Sequence, residues 1–293
     1  MKIVKNKSLC NYTSFRIGGK ADYFAEVNSN GDILKAVNFA QKKNIPYVAI
    51  GNGSNILVND KGYRGLIIKI SNINCINIEK DKITCSAGLP LSKLLQEVKN
   101  NNLGDIEFLI GIPGTVGGAV VGNAGMKNKH ISNILYKAEL LKSNGKIIEV
   151  DKSYFGFGYR ESNLKNNKDI LLEATFKLKK ISKKIPDKIT KAVIKNRVNQ
   201  PIGYSAGSIF KNPKSMFAGK IIEDLGMKGK KKNNAQISQI HANFIINLGG
   251  AKAADVKYLI NQIKRKTMNK YGIHLEREIR YLEERGWRWK KRI

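Results

Sequence analysis

The chain has 293 residues, of which 42% are hydrophobic, and a formal net charge of +30. This length and hydrophobic content allow one large domain or two ordinary ones with a buried core. The sequence contains neither a stretch of eighteen apolar residues nor a signal-peptide core, so we expect a cytoplasmic protein without a membrane span. The three cysteines, Cys10, Cys75 and Cys85, form no Cys-x-x-Cys pair, which argues against a disulfide framework, and we expect no metal site.

The positive charge comes from 53 Lys and Arg residues against 23 Asp and Glu residues, and it favours an anionic partner. Most of the lysines are spread along the whole chain, and only 228–232 and 288–292 are dense in basic residues. Basic charge alone gives non-specific attraction to nucleic acid. Because the lysines are spread along the chain, we expect no specific nucleic-acid partner. A basic nucleic-acid-binding protein stays open as a competing class.

In the first half of the chain, apolar spacing and turn residues predict helices and strands in mixed order. Helical spacing covers 32–44 and 91–98, and Gly104 stops the second helix. Asn144-Gly145 is a strong hairpin signal between two apolar segments. Strands are predicted, in chain order, at 63–70, 73–78, 83–86, 135–141, 146–150 and 170–178. This region therefore has α+β character with mixed strands.

The basic, apolar-poor stretch 179–186 is the predicted domain boundary. Beyond it, the pattern predicts a helix that ends at Asn199 before Gln200-Pro201, followed by the elements of a smaller α/β unit. These elements are predicted, in chain order, as a strand at 205–210, a helix at 217–225, a strand at 243–247, a helix at 251–271 and a strand at 273–282.

Two glycine-rich segments are the strongest chemical signals. The first glycine loop (51–55) joins two apolar runs and reads Gly51-Asn52-Gly53-Ser54-Asn55. The second glycine segment (111–118) reads Gly111-Ile112-Pro113-Gly114-Thr115-Val116-Gly117-Gly118, and Asn123-Ala124-Gly125 follows it. A turn rich in backbone N–H groups is a natural cradle for a pyrophosphate.

Neither segment fits the common phosphate motifs. Ile56 replaces the third glycine of the dinucleotide fingerprint, and neither segment has the Gly-Lys-Ser/Thr ending of a P-loop. Taken alone, each segment is explained equally well as an ordinary turn. Together in one chain they suggest one large phosphate-bearing cofactor.

Several other residues are candidates for chemistry, and each also has a plain structural explanation. Arg160 lies in a turn rich in glycine and aromatic residues, where it could have a chemical role. It is also explained as a surface arginine stacked on Tyr159. Ser208 follows a glycine but is not in a nucleophile elbow, so it is also explained as a turn serine. Glu278 shares one face of a predicted strand with Glu276 and Arg280, a pattern typical of a solvated or ion-paired face. The histidines His130, His241 and His274 are too scattered to indicate a metal site.

The combination of motifs resembles the UDP-N-acetylenolpyruvoylglucosamine reductase (MurB) family of flavoenzymes. The matching motifs follow the family's order over nearly the whole chain. They are Asn11-x-Thr13-x-Phe15, Gly18-Gly19-x-Ala21, 51–55, 111–118, 123–125, Tyr159-Arg160-x-Ser162, Gln200-Pro201, 206–213, 241–244 and 275–280. Each motif is modest, but their common order is specific.

The resemblance implies an α+β fold with two domains. Residues 1–180 would form an FAD-binding domain of the vanillyl-alcohol-oxidase/PCMH type. Residues 186–293 would form a smaller α/β substrate-binding domain, whose last strand, 273–282, returns toward the flavin domain. The stretch 179–190 has no tyrosine and no room for an insertion, so the resemblance is to the shorter family type, which lacks the tyrosine-bearing segment.

The resemblance also implies an activity and roles for particular residues. NADPH would reduce a non-covalently bound FAD, which would then reduce a UDP-sugar in peptidoglycan synthesis. We expect the protein to be a monomer. Arg160 and Glu278 would stabilise an enolate, and Ser208 would protonate carbon. Tyr159, Lys211, Asn212 and His241 would bind substrate. The cofactor would be bound by Gly51, Asn52, Gly53, Ser54, Asn55, Gly111, Gly114, Thr115, Gly117, Gly118, Asn123, Ala124 and Gly125.

Departures from the family pattern and a competing enzyme class remain. Met126 stands where alanine is commoner, Arg197 lacks a second neighbouring arginine, and the tail 287–293 is unusually basic. A sugar or alcohol oxidase on the same fold often links its flavin covalently through His or Cys. None of the three cysteines lies in the glycine-rich segments, so this class is disfavoured.

Overall fold

Residues 1–70, 73–126, 128–181 and 200–287 are described by the computed structural model. They divide into two units, each made of separate stretches of sequence. Unit 1 contains the described residues of Met1–Ile3, Ala25–Asn52 and Ile67–Val198. Unit 2 contains the described residues of Val4–Phe24, Gly53–Leu66 and Asn199–Ile293.

The helices form where apolar residues recur at helical spacing, and those that begin at Asn30 and Val116 also have a side-chain N-cap. The first begins after Ser29, whose hydroxyl accepts from the backbone N–H of Asp32, and it buries Ile33 and Val37 on one face. The α-helices of the described residues are α1 (Asn30–Lys42), α2 (Leu91–Asn100), α3 (Val116–Val121), α4 (Ala218–Asp224) and α5 (Ala253–Tyr271).

The strands are short, and most neighbouring strands are antiparallel. In the described residues they are β1 (Ile3–Ser8), β2 (Lys20–Val27), β3 (Tyr47–Ile50), β4 (Ile56–Val58), β5 (Tyr63–Ile70), β6 (Ile76–Glu79), β7 (Lys82–Ser86), β8 (Leu103–Gly104), β9 (Gly125–Met126), β10 (Lys129–His130), β11 (Leu135–Leu141), β12 (Ile147–Asp151), β13 (Ile170–Lys177), β14 (Lys179–Lys180), β15 (Lys231–Lys232), β16 (Ala235–Ile237), β17 (Ile245–Asn247), β18 (Arg280–Glu283) and β19 (Gly286–Trp287). One four-stranded sheet has the order β1-β2-β5-β3.

Unit 1 is built around an antiparallel sheet of order β12-β11-β13-β7-β6. Strand β13 is almost continuously apolar and buried, as expected for a central strand covered on both faces. Leu94 of α2, Val120 of α3 and Phe176 of β13 belong to one buried core. The second glycine segment contributes Val116 to this core, and its last three residues form the start of α3.

Unit 2 has its own core and two small sheets. One sheet has the order β15-β16-β17, and in the other, of order β19-β18-β4, strands β18 and β4 run parallel with Tyr281 opposite Leu57. Ile260 of α5 packs in this core with Phe15 and Phe210. The unit therefore joins residues from the N-terminal and C-terminal parts of the sequence.

Most sequence-based expectations about elements are confirmed. The helices predicted at 32–44, 91–98, 217–225 and 251–271 correspond to α1, α2, α4 and α5. The strands predicted at 73–78 and 83–86 pair as β6, which begins only at Ile76, and β7, and the Asn144-Gly145 hairpin is formed by β11 with β12. The strands at 63–70 and 170–178 are β5 and β13, and the strand at 243–247 is shorter, as β17.

Two predicted strands are wrong in extent. The segment 205–210 forms no strand, and the strand expected at 273–282 begins only at Arg280. Instead of a ladder, the two segments share a single bridge between Phe210 and Arg277. Apolar residues of both segments, among them Ile209, Phe210 and Ile279, are buried in the unit 2 core.

Some predictions lie outside the described residues. These are the helix ending at Asn199 and nearly all of the stretch 179–190, in which no family insertion was expected. The domain limits 1–180 and 186–293 stay a prediction. Among the described residues, no helix is long and apolar enough to cross a membrane.

Candidate active site

The first glycine loop joins β3 to β4, which belong to different sheets, so it is not a hairpin turn. A Cβ atom on Gly51 would lie 2.5 Å from Oγ1 of Thr115, far inside van der Waals contact. Thr115 is itself buried. Within unit 1, the Gly51 backbone therefore meets the second glycine segment at a distance that only glycine allows.

Gly53 is constrained from another side. Its φ is +65°, and a Cβ there would lie 2.2 Å from the carbonyl oxygen of Tyr12. The backbone N–H of Ser14 donates to the Gly53 carbonyl over 3.2 Å, and the Ser14 hydroxyl donates to the Ser205 carbonyl over 2.6 Å. Tyr12 and Ser14 thus contact the first glycine loop within unit 2 and hold Gly53 in place. The sequence alone did not predict this role.

Lys69 supports the same loop and was missed by the sequence analysis. It lies on β5 with only 7% of its surface exposed. Its Nζ donates to the Gly51 carbonyl over 2.7 Å and to Oδ1 of Asn52 over 3.3 Å. Burial lowers the pKa of the Lys69 ammonium to about 8, against the opposing effect of the Glu26 carboxylate. The available signal was a lysine within an otherwise apolar run.

The start of α3 is already hydrogen-bonded within the protein. Thr115 is its N-cap, and its Oγ1 accepts from the Gly118 N–H over 3.3 Å. The Val116 N–H donates to the carbonyl of Leu89, and the Gly117 N–H to that of Ala87. These three N–H groups are engaged within the protein, and the cofactor contacts of Thr115, Gly117 and Gly118 stay a prediction.

Arg160 occupies a strained turn. Its φ is +57°, a left-handed value that is uncommon for a residue other than glycine. Gly158 and Glu161 exchange both backbone hydrogen bonds across the turn, each over 3.1 Å. A residue held in this conformation costs about 1–3 kcal/mol, and such outliers concentrate at functional sites.

The Arg160 guanidinium is aimed by backbone carbonyls. Its Nη2 donates to the Gly125 carbonyl over 2.6 Å and its Nη1 to the Asn123 carbonyl over 3.4 Å. The Asn123 side chain in turn donates to the Gly158 carbonyl over 2.8 Å and accepts from the Ser132 N–H. Asn123 and Gly125 therefore hold Arg160 in place, beside any contact they make with a cofactor.

Two further side chains frame Arg160. Lys165, buried to nine-tenths, donates from Nζ to the Arg160 carbonyl and lies 3.8 Å from the Glu161 carboxylate. The His130 side chain accepts from the backbone N–H of Asn133. Burial and, to a smaller degree, the charge of Arg160 lower the pKa of His130. A neutral imidazole is therefore favoured beside this guanidinium.

Ser208 and Glu278 lie on adjoining segments of unit 2. The Ile209 N–H donates to the carbonyl of Asn243 over 2.8 Å, and Asn243 also exchanges side-chain hydrogen bonds with the backbone of Phe210. On the other side, the Glu278 N–H donates to the Ile209 carbonyl over 2.8 Å. The Ser208–Phe210 backbone is thus fixed from both sides.

The end of the first glycine loop reaches this arrangement. Asn55 donates from Nδ2 to the Glu278 carbonyl over 3.4 Å, and its own carbonyl accepts from the Arg280 N–H over 3.0 Å. Asn55 thus has a structural partner in the segment that carries Glu278.

The predicted substrate-binding residues of unit 2 also have structural partners. Lys211 is buried, and its Nζ lies 2.6 Å from Oε1 of Glu276. Asn212 Oδ1 accepts from the Ala218 N–H at the start of α4. The His241 Nδ1 accepts from the Asn243 N–H over 3.2 Å, and burial, first of all, lowers the pKa of this histidine.

The predicted site residues therefore fall into two groups, one in each unit. Unit 1 contains Arg160, Tyr159, the segments 111–118 and 123–125, and residues 51–52, with Arg160 bonded to Asn123 and Gly125 and Gly51 close to Thr115. Unit 2 brings together Ser208, Glu278, Lys211, Asn212, His241 and residues 53–55. Within the described ranges, no three His, Cys, Asp or Glu side chains are placed to hold a metal ion.

Comparison with known proteins identifies the family. Residues 21–151 match the FAD binding domain family, and residues 198–282 match the C-terminal domain of UDP-N-acetylenolpyruvoylglucosamine reductase. The UDP-N-acetylenolpyruvoylglucosamine reductase of Clostridium tetani is 40% identical over 281 residues, which cover 95% of this chain and 92% of that protein. The chain belongs to the UDP-N-acetylenolpyruvoylglucosamine reductase (MurB) family.

Solved structures agree with this membership. The MurB crystal structure from Thermus caldophilus superposes with a TM-score of 0.81 at 32% identity, and the match covers 96% of this chain and 98% of that chain. The 6-hydroxy-D-nicotine oxidase of Arthrobacter nicotinovorans, at 18% identity and a TM-score of 0.50 over 61% of this chain and 42% of that one, shares the fold alone. The resemblance and the α+β fold class expected from the sequence are confirmed.

The FAD that the family implies fits the residues present. The close approach of Gly51 to Thr115 leaves no room for a side chain at position 51, and the backbone N–H groups of a glycine-rich turn suit a phosphate group. The buried ammonium of Lys69 lies directly behind the same loop and supplies positive charge. Both features suit a cofactor with a pyrophosphate.

Proposed function

We propose that this protein reduces the enolpyruvyl group of UDP-N-acetylglucosamine enolpyruvate with NADPH, giving UDP-N-acetylmuramate for peptidoglycan synthesis in the cytoplasm. The observation that carries the proposal is the 40% identity over 95% of the chain to a protein of that name. The close contact of Gly51 with Thr115 and the orientation of the Arg160 guanidinium by the carbonyls of Asn123 and Gly125 support it. The protein acts as an FAD-dependent oxidoreductase with NADPH as co-substrate.

FAD, when bound, supplies a two-electron carrier between NADPH and C3 of the enolpyruvyl group. The protein must then stabilise the negative charge left on C2 and on the attached carboxylate. Arg160 suits this role, because its guanidinium stays charged and forks onto two oxygen atoms. The carbonyls of Asn123 and Gly125 hold it in one orientation, which lowers the cost of reorganisation during the reaction.

Glu278 and Ser208 complete the chemistry in this proposal. A carboxyl group pressed against the substrate carboxylate keeps its proton, so Glu278 donates a hydrogen bond to the developing enolate. Ser208 donates the proton to C2, which a weakly acidic hydroxyl can do only toward a strongly basic carbon at contact distance. The backbone fixed around Ile209 holds the serine for this transfer.

The visible absorption spectrum of the purified protein tests the cofactor directly. We expect a yellow protein with one FAD per chain, released intact by heat or acid because it is not covalently linked. A correctly folded, colourless protein that takes up no FAD would contradict the proposal. A covalent flavin, with oxygen consumption on an alcohol substrate, would favour the oxidase class instead.

A further inference from the structure

Lys69 is a buried cation whose hydrogen-bond acceptors both belong to the first glycine loop. Only 7% of the Lys69 surface is exposed, and burial is the main cause of its lowered pKa, so the ammonium is largely removed from water. Burying such a group is unfavourable unless it is hydrogen-bonded. The bonds to the Gly51 carbonyl (2.7 Å) and to Asn52 Oδ1 (3.3 Å) meet that need with neutral oxygen atoms.

The bond to Gly51 sets the orientation of the next peptide group. A trans peptide is planar, with its carbonyl and its N–H pointing in opposite directions. Because the Gly51 carbonyl points at Lys69, the N–H of Asn52 points away from it. The second bond, to the Asn52 side chain, holds the same residue from the Lys69 side.

We propose that Lys69 is a positioning residue for the cofactor's phosphates, fixing the Gly51–Asn52 peptide so that its N–H faces the pyrophosphate and adding one positive charge behind the loop. The inference rests on the proposed function, because it takes the anion on this loop to be the pyrophosphate of FAD.

The charge of Lys69 gives the proposal a pH signature. In unit 1, the neighbouring strands β2 and β3 present Glu26 and Tyr47. The pKa of Tyr47 is raised by burial and by Asp169, whereas burial lowers the pKa of Lys69 to about 8. A bound pyrophosphate favours the charged ammonium, so binding takes up a proton and the affinity for FAD falls as pH rises above about 8.

The test measures the Kd for FAD from about pH 6.5 to pH 9.5 by titrating apoprotein and following flavin fluorescence. For the wild type, we expect the Kd to rise by roughly tenfold or more over this range, since one titrating group changes affinity by at most tenfold per pH unit. Lys69→Met, nearly isosteric but neutral, should bind FAD about 10–100-fold more weakly at pH 6.5, the range for a lost charged hydrogen bond, with a smaller pH dependence. Lys137→Met, which removes a more exposed lysine paired with Glu149, is the control and should behave as wild type.

A second measurement covers the case in which Lys69→Met does not fold. Calorimetric titration of wild-type apoprotein with FAD, in two buffers of different ionisation enthalpy, should show net proton uptake of about half a proton near pH 8 and little near pH 6.5. Wild type that binds FAD with no proton uptake, or with the same pH dependence as Lys69→Met, would overturn the inference and leave the proposed function intact. Wild type that binds no FAD at any pH would overturn the proposed function as well.

Discussion

The backbone N–H of Glu278 donates to the carbonyl oxygen of Ile209 over 2.8 Å. This bond places the residue after Ser208 directly against the segment that carries Glu278, although seventy positions separate Ser208 from Glu278 in the sequence. Asn55 of the first glycine loop bonds to the same segment, at Glu278 and Arg280. Within unit 2, one local set of hydrogen bonds therefore joins residues predicted to touch cofactor and substrate.

Replacing Ser208 by alanine should separate the two half-reactions. Reduction of the flavin by NADPH requires no protonation of carbon, so we expect it to stay near the wild-type rate. Transfer to the enolpyruvyl substrate should slow by about 10²–10⁴-fold, the usual cost of a lost general acid. Stopped-flow absorbance of each half-reaction measures this, with Ser205→Ala as the control from the same segment. Equal slowing of both half-reactions would assign Ser208 a structural role.

Arg160→Lys should not act as a conservative substitution. Lysine keeps the positive charge but loses the two-pronged guanidinium that the carbonyls of Asn123 and Gly125 orient. Loss of one aimed donor typically lowers turnover by about 10²–10³-fold. Steady-state kinetics should show this loss mainly in kcat, while the exposed control Arg265→Lys keeps wild-type turnover. Near-normal kcat for Arg160→Lys would place this residue outside the reaction.

The contact between Gly51 and Thr115 predicts a rescue. Gly51→Ala puts a methyl group 2.5 Å from Thr115 Oγ1, so it should destabilise the apoprotein by about 1–3 kcal/mol and weaken FAD binding. Thr115→Ala removes that oxygen at the cost of a helix cap, about 1 kcal/mol. In the double variant, part of the stability lost in Gly51→Ala should be recovered. Denaturant unfolding of all four proteins checks this, and strictly additive effects would show that the two loops do not meet.

The histidines predict how stability changes in mild acid. Burial lowers the pKa of His130 and of His241 in the folded state, so below the ordinary value of about 6.5 the unfolded chain binds more protons. The free energy of unfolding should therefore fall as pH drops below about 6.5. His130→Gln should make that decline shallower, and His130→Gln/His241→Gln shallower still. Urea unfolding between pH 7 and 5.5 measures this. The prediction is contradicted if the free energy of unfolding of the variants declines with pH as steeply as that of the wild type.

The sequence predicted features that depend on neighbouring residues better than those that depend on distant ones. The helix spacing of α5 and the Asn144-Gly145 hairpin are local, and both were found. The segment 205–210 was mistaken for a strand because Ile209 and Phe210 are equally apolar whether they lie in a ladder or in a core loop. Apolar patterning reports burial and does not by itself identify the hydrogen-bond partner.

The same limit explains the site residues that sequence reasoning missed. Lys69 reaches the first glycine loop from a strand eighteen positions after Gly51, and nothing local to either shows the contact. The carbonyls of Ala87 and Leu89 accept from the Gly117 and Val116 N–H groups at the start of α3, and nothing in the local sequence predicts these contacts. Arg160 was singled out by its motif, whereas its left-handed backbone became evident only in the structure.

Anaerobic reoxidation of the flavin by the proposed substrate tests the central claim most directly. NADPH should bleach the visible flavin absorbance, and one equivalent of UDP-N-acetylglucosamine enolpyruvate should restore it while one equivalent of UDP-N-acetylmuramate forms. A flavin that NADPH reduces but that stays reduced in the presence of this substrate, and recovers its absorbance only when oxygen is admitted, would contradict the account.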